Sequence, residues 1–377
     1  MNRICHLTSA HPRHDIRIFF KQCKTITMEG YPVSLIVADG LGHEFKDGVE
    51  IIDVGRSASR LNRILQTTRK ILAKALELHC DIYQLHDPEL LPIGMKLKQK
   101  GKKVLYDAHE DTPVQILTKP YLNKPIRFVL SRVLSAYERH ACSHFDGILA
   151  ATPHIRDKFL KINSKSVDIN NFPLPDEFAC PENALLLRED KDFCYLGSIS
   201  SIRGIREMVL AMGLIQSPAR LQLGGVFVDK LLEDEVKLLP GWERVLHRGW
   251  LDRPQVRKVL ETSIAGLVTL HPIPNYKNSL PIKMFEYMSA GIPVIASDFP
   301  LWRQIVEEHQ CGICVDPLNQ EKIAHTMDFL SHHPGRCFEM GQRGRKAVLD
   351  HFNWQTEKKK LLTLYNDLTH EQGHLDH

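Results

Sequence analysis

Short apolar runs alternate with longer amphipathic stretches along almost the whole chain of 377 residues. The apolar runs have the length of buried strands, and the stretches between them carry apolar residues at helical spacing. Such alternation requires crossover connections, so it predicts parallel sheets covered by helices on both faces. A chain of this length is expected to form about two domains. The pattern therefore predicts an α/β protein with two doubly wound parallel sheets.

The predicted elements fall into two similar sets. Strands are predicted in the first half at Ile4–Thr8, Val33–Ala38, Glu50–Val54, Asp81–His86, Lys103–Tyr106 and Gly147–Ala151. Strands are predicted in the second half at Asp192–Leu196, Ala219–Gly224, Arg244–His247, Ile264–Thr269, Pro293–Ala296 and Gly312–Val315. Helices are predicted at Ile16–Glu29, Leu61–Leu78, Glu89–Gln99, Pro125–Ala141, Pro153–Leu160, Ile205–Ile215, Val228–Leu238, Pro254–Glu261, Pro281–Ala290, Leu301–Glu308, Lys322–Ser331 and Trp354–Thr369.

The two sets predict the domain organisation. We expect an N-terminal domain over 1–170, a linker over 171–190, a C-terminal domain over 191–350 and a helical tail over 351–377 that could cross back to the N-terminal domain. The linker contains proline residues after apolar ones, which favours extended chain. In open parallel sheets, ligands bind beyond the carboxyl ends of the strands. Functional residues are therefore expected in the loops that follow strands, facing a cleft between the domains.

The composition excludes several classes of protein. Hydrophobic residues make up 43% and charged residues 25% of the chain, so it is neither a disordered nor a fibrous protein. Apolar runs stay well short of the roughly 18 residues that a membrane span requires. The N-terminus lacks the apolar region of a signal peptide, so we expect a cytoplasmic protein with reduced cysteines. Cys311 and Cys314 have no second pair with which to complete a zinc site, and no metal site is predicted.

Positive charge is concentrated in the first half of the chain. Residues 1–170 contain 26 Lys and Arg against 18 Asp and Glu. Cations dominate the stretches from Arg56 to Lys74 and from Lys119 to His140, and apolar residues are interleaved in the first at helical spacing. Such helices can lie on an anionic membrane, although a solvated helix face gives the same pattern. Both interpretations stay open, whereas nucleic acid is not expected as a partner because no binding motif accompanies the charge.

The segment from Asn278 to Ser297 is the one most suggestive of chemistry. Asn278 or Ser279 can cap a helix whose first turn contains Pro281, and Gly291 suits the position after its end. In a helix, Ser279, Lys283 and Glu286 would share one face. A cation beside a helix N-terminus attracts a diphosphate, and a carboxylate suits the hydroxyls of a ribose. A surface Lys–Glu ion pair is the alternative, and the spacing does not decide between them.

Four motifs of the chain resemble those of a known family. The run Phe285–Ser297 is similar to the donor-site motif of the retaining glycosyltransferase family 4. Tyr195–Ile199, followed by Arg203, resembles the first strand and loop of that family's donor domain. His11–Arg17 and Tyr106–Glu110 resemble a bacterial subgroup that builds surface polysaccharides such as O-antigen and capsule. The resemblance implies the GT-B fold, in which two Rossmann-like domains face a central cleft.

The resemblance implies roles for residues of the donor domain. Glu286 matches the second Glu of the family's Glu-x7-Glu pattern, which binds the ribose, and Arg203 matches the cation that binds the diphosphate. Asn278 stands where the first Glu, which contacts the donor sugar, is expected. Ser198, which follows Gly197, replaces the family's second cation. We infer that Lys283 compensates for that replacement, and that the backbone amides at Ser279 and Leu280 also contact the diphosphate.

The resemblance also implies residues on the acceptor side. His109 matches the histidine that points at the transferred sugar, and it follows a predicted strand directly. We therefore expect His109, Arg203 and Lys283 to be catalytic. The remaining acceptor-side candidates are His11, Asp15, Arg17, His86 and Glu110.

Together these features predict a retaining, metal-independent glycosyltransferase. It would move a sugar from a UDP- or GDP-sugar, a co-substrate rather than a cofactor, to a lipid-linked saccharide at the inner face of the membrane. Negative charge develops on the leaving diphosphate as the glycosidic bond breaks, so cations there accelerate the reaction. Two alternatives stay open: a nucleotide-sugar epimerase of the same architecture, and a non-catalytic protein that binds sugar nucleotides.

Overall fold

The computed structural model of the protein describes residues 2–119, 122–175, 177–178 and 192–370. Contacts between residues divide the chain into two compact units. The first unit comprises the chain up to Asn171 together with the residues from Glu357 onward, and the second comprises Phe172–Thr356. Residues 176 and 179–190 of the expected linker, and 371–377 of the expected tail, lie outside the described residues.

The first unit contains an eight-stranded sheet. Its strands are β1 (Ile4–Leu7), β2 (Val33–Val37), β3 (Glu44–Lys46), β4 (Val49–Asp53), β5 (Ile82–Leu85), β6 (Lys103–Ala108), β7 (Gly147–Ala150) and β8 (Ser166–Asp168). Their spatial order is β3-β4-β2-β1-β5-β6-β7-β8, and all pairs are parallel except β3 with β4. Because β1, β5 and β6 are neighbours, the loops that follow them meet at one edge of the sheet.

Helices connect these strands. They are α1 (Lys24–Met28), α2 (Arg60–Asn62), α3 (Thr68–Glu77), α4 (Leu91–Gln99), α5 (Thr112–Leu117), α6 (Lys124–Cys142) and α7 (Pro153–Leu160). A π-helical segment, Ile16–Cys23, precedes α1, and Asp15 caps it by accepting hydrogen bonds from the amides of Arg17 and Ile18. π-Helical turns occur often at functional sites, and this one turns Arg17 and Gln22 into the protein interior.

The second unit contains a six-stranded parallel sheet. Its strands are β9 (Asp192–Leu196), β10 (Leu221–Gly224), β11 (Val245–Gly249), β12 (Ser263–Val268), β13 (Val294–Ser297) and β14 (Gly312–Val315), in the order β11-β10-β9-β12-β13-β14. Its helices are α8 (Ile205–Leu214), α9 (Lys230–Val236), α10 (Arg253–Thr262), α11 (Pro274–Lys277), α12 (Ile282–Ser289), α13 (Pro300–His309), α14 (Gln320–His332) and α15 (Pro334–Asp350). Phe193 and Tyr195 of β9 pack in one apolar cluster and Cys194 and Leu196 in another, so both faces of the sheet are covered.

The last helix, α16 (Trp354–His370), begins in the second unit and continues in the first. Within the first unit, Glu357 accepts a hydrogen bond of 2.7 Å from the amide of Asn170. Lys360 donates to the carboxylate of Asp168 at 2.9 Å. These polar contacts attach α16 to the last strand of the first unit, β8, and to the residues just after it.

The predicted fold class is confirmed, and every predicted strand is present with its ends shifted by at most two residues. Five of the labelled elements were not predicted: β3, β8, α5, α11 and α15. Helix α15 contains Gly341 and Gly344, which lower its helix propensity. A Cβ atom at Gly344 would lie 3.3 Å from the side chain of Met288, so close packing favours glycine there. Among the described residues, no helix is both long enough and apolar enough to cross a bilayer.

Candidate functional site

In the second unit, two cations converge on the loop that follows β9. Gly197 has a φ of +127°, and a Cβ atom at that position would lie 3.2 Å from Nζ of Lys283 and 3.8 Å from a guanidinium nitrogen of Arg203. These two cations therefore flank the backbone just beyond the carboxyl end of β9. The neighbouring Ser198 is exposed, and its carbonyl accepts a hydrogen bond from the Tyr195 hydroxyl at 2.8 Å.

Lys283 is buried without a polar partner among the described residues. Its side chain is 8% exposed, and Nζ makes no hydrogen bond with any described residue. The ammonium lies 3.5 Å from the centroid of the Tyr195 ring. Burial lowers the pKa of Lys283 well below its usual range, and the positive charge of Arg203 lowers it further. A buried ammonium without a hydrogen-bond partner lowers the stability of the protein, and a bound anion would reduce this cost in free energy.

Arg203 lies at the start of α8. It ends a short 3₁₀ turn, and Gly204 follows it at the N-cap of α8 with a φ of +75°. A Cβ atom at Gly204 would lie 2.1 Å from the carbonyl oxygen of Thr269, so only glycine fits there. Burial alone would lower the pKa of Arg203, but Tyr195 and Tyr276 raise it above its usual value. Arg203 therefore keeps its charge beside a helix N-terminus, where anions bind readily.

Glu286 forms an ion pair that was not predicted. Its Oε1 accepts a hydrogen bond of 2.7 Å from Arg253, which also donates to Glu177 at 2.6 Å. The Arg253 guanidinium lies 4.4 Å from the centroid of the Phe178 ring. No spacing in the sequence links Arg253 to Glu286, because the contact joins α10 to α12. Lys283 has no hydrogen-bond partner in the described part of the chain, and Glu286 pairs with Arg253, so the alternative of a surface Lys–Glu pair is wrong.

The predicted caps of α12 are also wrong. Pro281 is the N-cap, and no side chain caps the helix. Asn278 instead ends the short helix α11, and the hydroxyl and amide of Ser279 both donate to the carbonyl of Tyr276. That amide is therefore not free for a diphosphate, while Leu280 packs against the core. The end of α12 is as predicted, with Gly291 at a φ of +72°.

In the first unit, Asp107 is the centre of a buried polar cluster. Arg17 donates to both carboxylate oxygens of Asp107, at 2.6 and 3.0 Å, and Gln22 donates to Oδ2 at 2.7 Å. Burial alone would raise the pKa of Asp107, but the positive charge of Arg17 and a hydrogen bond with His109 hold it well below its usual range. Asp107 is therefore a carboxylate that only accepts hydrogen bonds. It precedes His109 by two residues, a strand spacing that places both on one face and could have signalled the contact.

Three histidines extend this cluster. Nε2 of His109 lies 3.1 Å from Oδ2 of Asp107, and Nδ1 of His86 lies 3.2 Å from the same oxygen. His6, which was not predicted, stacks on His86 with its Nδ1 2.9 Å from Nε2 of His86. Burial lowers the pKa of both His6 and His86, so both rings are neutral.

The remaining acceptor-side candidates divide into two groups. The His11 ring lies 4.9 Å from that of His109, and its nitrogens lie 3.4 Å from Asp15 and 3.5 Å from Asp87. Burial alone would lower the pKa of His11, but these two carboxylates raise it. His11, Asp15, Arg17 and His86 thus gather around His109. Glu110 does not, because it is exposed and accepts a hydrogen bond from Gln115.

The histidine cluster does not fit a metal ion. His86, Asp107 and His109 offer ligand atoms within 4.8 Å of one another. However, Arg17 already occupies both oxygens of Asp107, and its positive charge would repel a cation. The arrangement suits hydrogen bonding to a polar ligand instead.

Two family models match the chain. The sequence model described as Glycosyltransferase Family 4 matches residues 19–171, and the one described as Glycosyl transferases group 1 matches residues 181–347. An uncharacterised glycosyltransferase of Methanocaldococcus jannaschii is 24% identical over 180 residues, which cover 47% of this chain and 45% of that protein. The matched region thus spans less than half of that relative.

Solved structures share the fold at low sequence identity. Sucrose-phosphate synthase from Thermosynechococcus elongatus has a TM-score of 0.78 at 17% identity, over 98% of this chain and 100% of that one. HepE from Anabaena, in complex with UDP-glucose, has a TM-score of 0.75 at 14% identity, over 97% and 100%. The two family matches together cover most of the chain. The protein therefore belongs to the group 1 glycosyltransferases of family 4 and has the GT-B fold.

Proposed function

We propose that the protein transfers a sugar from a UDP- or GDP-sugar to a saccharide acceptor, with retention of configuration. The observation that carries the proposal is the buried ammonium of Lys283, which has no hydrogen-bond partner among the described residues and lies beside Arg203 at Gly197. Two cations at the carboxyl end of a central strand suit a diphosphate. The solved structure of HepE contains UDP-glucose, which supports a donor of this class. Retention is inferred from the resemblance to a retaining family.

In this mechanism the cations act on the leaving group. As the glycosidic bond breaks, negative charge grows on the diphosphate, and Arg203 and Lys283 stabilise it. One preorganised donor of this kind is worth about 10²–10³ in rate. The two side chains supply positive charge without a metal, so we expect a chelator to leave the activity unchanged. Glu286 accepts hydrogen bonds from the ribose, and Arg253 holds it in place.

The acceptor is proposed to be a lipid-linked saccharide at an anionic membrane surface. Four exposed apolar side chains share one face of α6, which we call the α6 apolar face, and they are 42–61% exposed: Ile126, Val129, Leu130 and Val133. Phe128 is also exposed but lies on another side of the helix. The acid of α6, Glu138, points inward and pairs with Lys158 at 2.5 Å, whereas Arg132 lies 5.1 Å from the Phe128 ring. Apolar side chains flanked by cations suit an anionic lipid surface.

The resemblance to a bacterial subgroup supports a role in surface polysaccharide synthesis, at the inner face of the cell membrane. The matches to glycosyltransferase models favour transfer over an epimerase or a non-catalytic binding protein. Asn278, in place of the family's first Glu, leaves the donor sugar without a carboxylate at that position.

A donor panel tests the proposal. The protein is incubated with UDP-glucose, UDP-N-acetylglucosamine and GDP-mannose, with and without a membrane extract as acceptor source, and released nucleoside diphosphate is measured. We expect release from one donor, and loss of release in Lys283→Met but not in Lys277→Met, whose side chain is exposed. Conversion of the donor sugar without release would indicate an epimerase. Donor binding without release under every condition would indicate a binding protein.

A further inference from the structure

Tyr365 of α16 lies at the buried end of the polar cluster that surrounds His109. Its hydroxyl donates to Oε1 of Gln84 at 2.6 Å, and it lies 3.5 Å from Nε2 of His6. Tyr365 is fully buried. Two hydrogen-bonded arms lead from this hydroxyl to Asp107 and His109.

The first arm passes through the side-chain amides of Gln84 and Gln22, and every hydrogen bond in it is donated in the direction of Asp107. Gln84 accepts from Tyr365 through its oxygen and donates through its nitrogen to Oε1 of Gln22. Gln22 in turn donates to Oδ2 of Asp107 at 2.7 Å. Because Asp107 only accepts, the direction of this arm is fixed, and the single proton of Tyr365 is committed to Gln84.

The second arm passes through the buried histidines. Since the proton of Tyr365 points to Gln84, its oxygen accepts from Nε2–H of His6. A neutral His6 then has a bare Nδ1, which accepts from Nε2–H of His86 at 2.9 Å. His86 is thereby left with a bare Nδ1, which cannot donate to Asp107. Among the ring nitrogens beside Asp107, we therefore assign the proton to Nε2 of His109, which lies 3.1 Å from Asp107 and 3.4 Å from Nδ1 of His86.

We propose that Tyr365 is a positioning residue that holds His109 in the tautomer with the proton on Nε2 and with Nδ1 free to accept a hydrogen bond from a hydroxyl of a bound sugar. His109 is partly exposed, and its Nδ1 has no hydrogen bond within the described part of the chain. Tyr365 acts at a distance and does not touch the sugar. The identity of the hydroxyl rests on the proposed function, whereas the tautomer does not.

The tautomer is measured directly by NMR on the full chain labelled with ¹⁵N-histidine. The His109 signals are assigned by their loss in His109→Gln. We expect wild type to have a protonated Nε2 and an unprotonated Nδ1 at His109, and Tyr365→Phe to lose this preference. Tyr31→Phe is the matched control, because the Tyr31 hydroxyl contacts Asn366 of the same helix at 3.3 Å. In a transfer assay, Tyr365→Phe should lower kcat and leave the donor KM unchanged.

A second variant keeps the test decisive if Tyr365→Phe folds poorly. Gln84→Met removes the acceptor of the Tyr365 proton, so Tyr365 can donate to His6 and the second arm reverses. Nδ1 of His86 should then become protonated and compete with His109 for Asp107. Wild type with the proton on Nδ1 of His109, or a His109 tautomer unchanged in both variants, would overturn the proposal. Because the NMR measurement needs no substrate, a negative donor panel would contradict the proposed function alone.

Discussion

The ammonium of Lys283 is buried beside the Tyr195 ring and has no hydrogen-bond partner in the described parts of the chain. Lys283→Met should therefore raise the free energy of unfolding of the ligand-free protein by about 1–3 kcal/mol, the cost of one unsatisfied buried group. The same change should abolish the stabilisation that a nucleoside diphosphate provides. Thermal unfolding with and without UDP or GDP measures both effects. Lys277→Met, on an exposed side chain, should change neither, and a destabilised Lys283→Met would contradict the interpretation.

Glu286 is expected to exchange part of its contact with Arg253 for the hydroxyls of a ribose. A hydrogen bond to a charged group contributes about 1.5–3 kcal/mol, so Glu286→Gln should weaken nucleotide binding roughly 10- to 100-fold. Glu177→Gln removes the other carboxylate that contacts Arg253 and should leave the affinity nearly unchanged. Calorimetric titration with the nucleotide that binds wild type distinguishes the two variants. Equal losses in both would indicate that Arg253, rather than Glu286, carries the contact.

The buried histidines make the first unit sensitive to mild acid. His6 and His86 have pKa values lowered by burial, so the unfolded chain binds more protons than the folded chain below about pH 6.5. As the pH falls, protonation of each of these two histidines favours the unfolded chain. Each should therefore lower the free energy of unfolding by at most about 1.4 kcal/mol per pH unit. The carboxylate that faces these rings, Asp107, stays charged in this range because its pKa is held well below its usual value.

His11 has the opposite effect on the pH dependence of stability. Its raised pKa gives stability that is present below about pH 6.5 and is lost as the pH rises through the folded value. Urea unfolding at pH 5.5 and 7.0 should therefore show a smaller loss of stability in acid for His6→Asn than for wild type. His11→Asn should show a larger loss. The same pH dependence in all three proteins would contradict these assignments.

At the scale of elements, the α6 apolar face tests the membrane hypothesis. Ile126→Ser, Val129→Ser and Val133→Ser combined should release the protein from vesicles that contain phosphatidylglycerol. Burial contributes about 0.8 kcal/mol per CH₂ group, so the loss should exceed roughly tenfold in affinity. The matched control replaces three exposed residues of the second unit, Val226, Val228 and Leu231, by Ser. Wild type that fails to bind these vesicles in a sedimentation assay would contradict the hypothesis.

At helix α12, some features could be predicted from the sequence and others could not. Gly291 ends the helix as expected, because the requirement for a positive φ is a local property of the chain. The N-terminal caps were wrong because α11 directly precedes α12 and engages Asn278 and Ser279. The burial of Lys283 could not be foreseen from helical periodicity either, since it depends on the neighbouring strand that carries Tyr195.

At the scale of the whole molecule, the alternation of strands and helices was sufficient to predict two doubly wound sheets, since crossover chirality and sheet twist permit few other arrangements. The polar clusters were only partly predictable. Arg17 and Asp107 are 90 residues apart in the chain, and Tyr365 and Gln84 are 281 apart. The resemblance to a family supplied His109, Arg203 and Glu286, whereas the residues that hold them, Asp107 and Arg253 among them, required the structure.

We propose above all that the paired cations at Gly197 bind the diphosphate of a nucleotide-linked sugar. Calorimetric titration of wild type and Lys283→Met with UDP, UMP, GDP and GMP tests it most directly. We expect one diphosphate to bind wild type at least about tenfold more tightly than its monophosphate, and Lys283→Met to remove this difference. Equal affinity for the mono- and diphosphate, or a difference that persists in Lys283→Met, would contradict it.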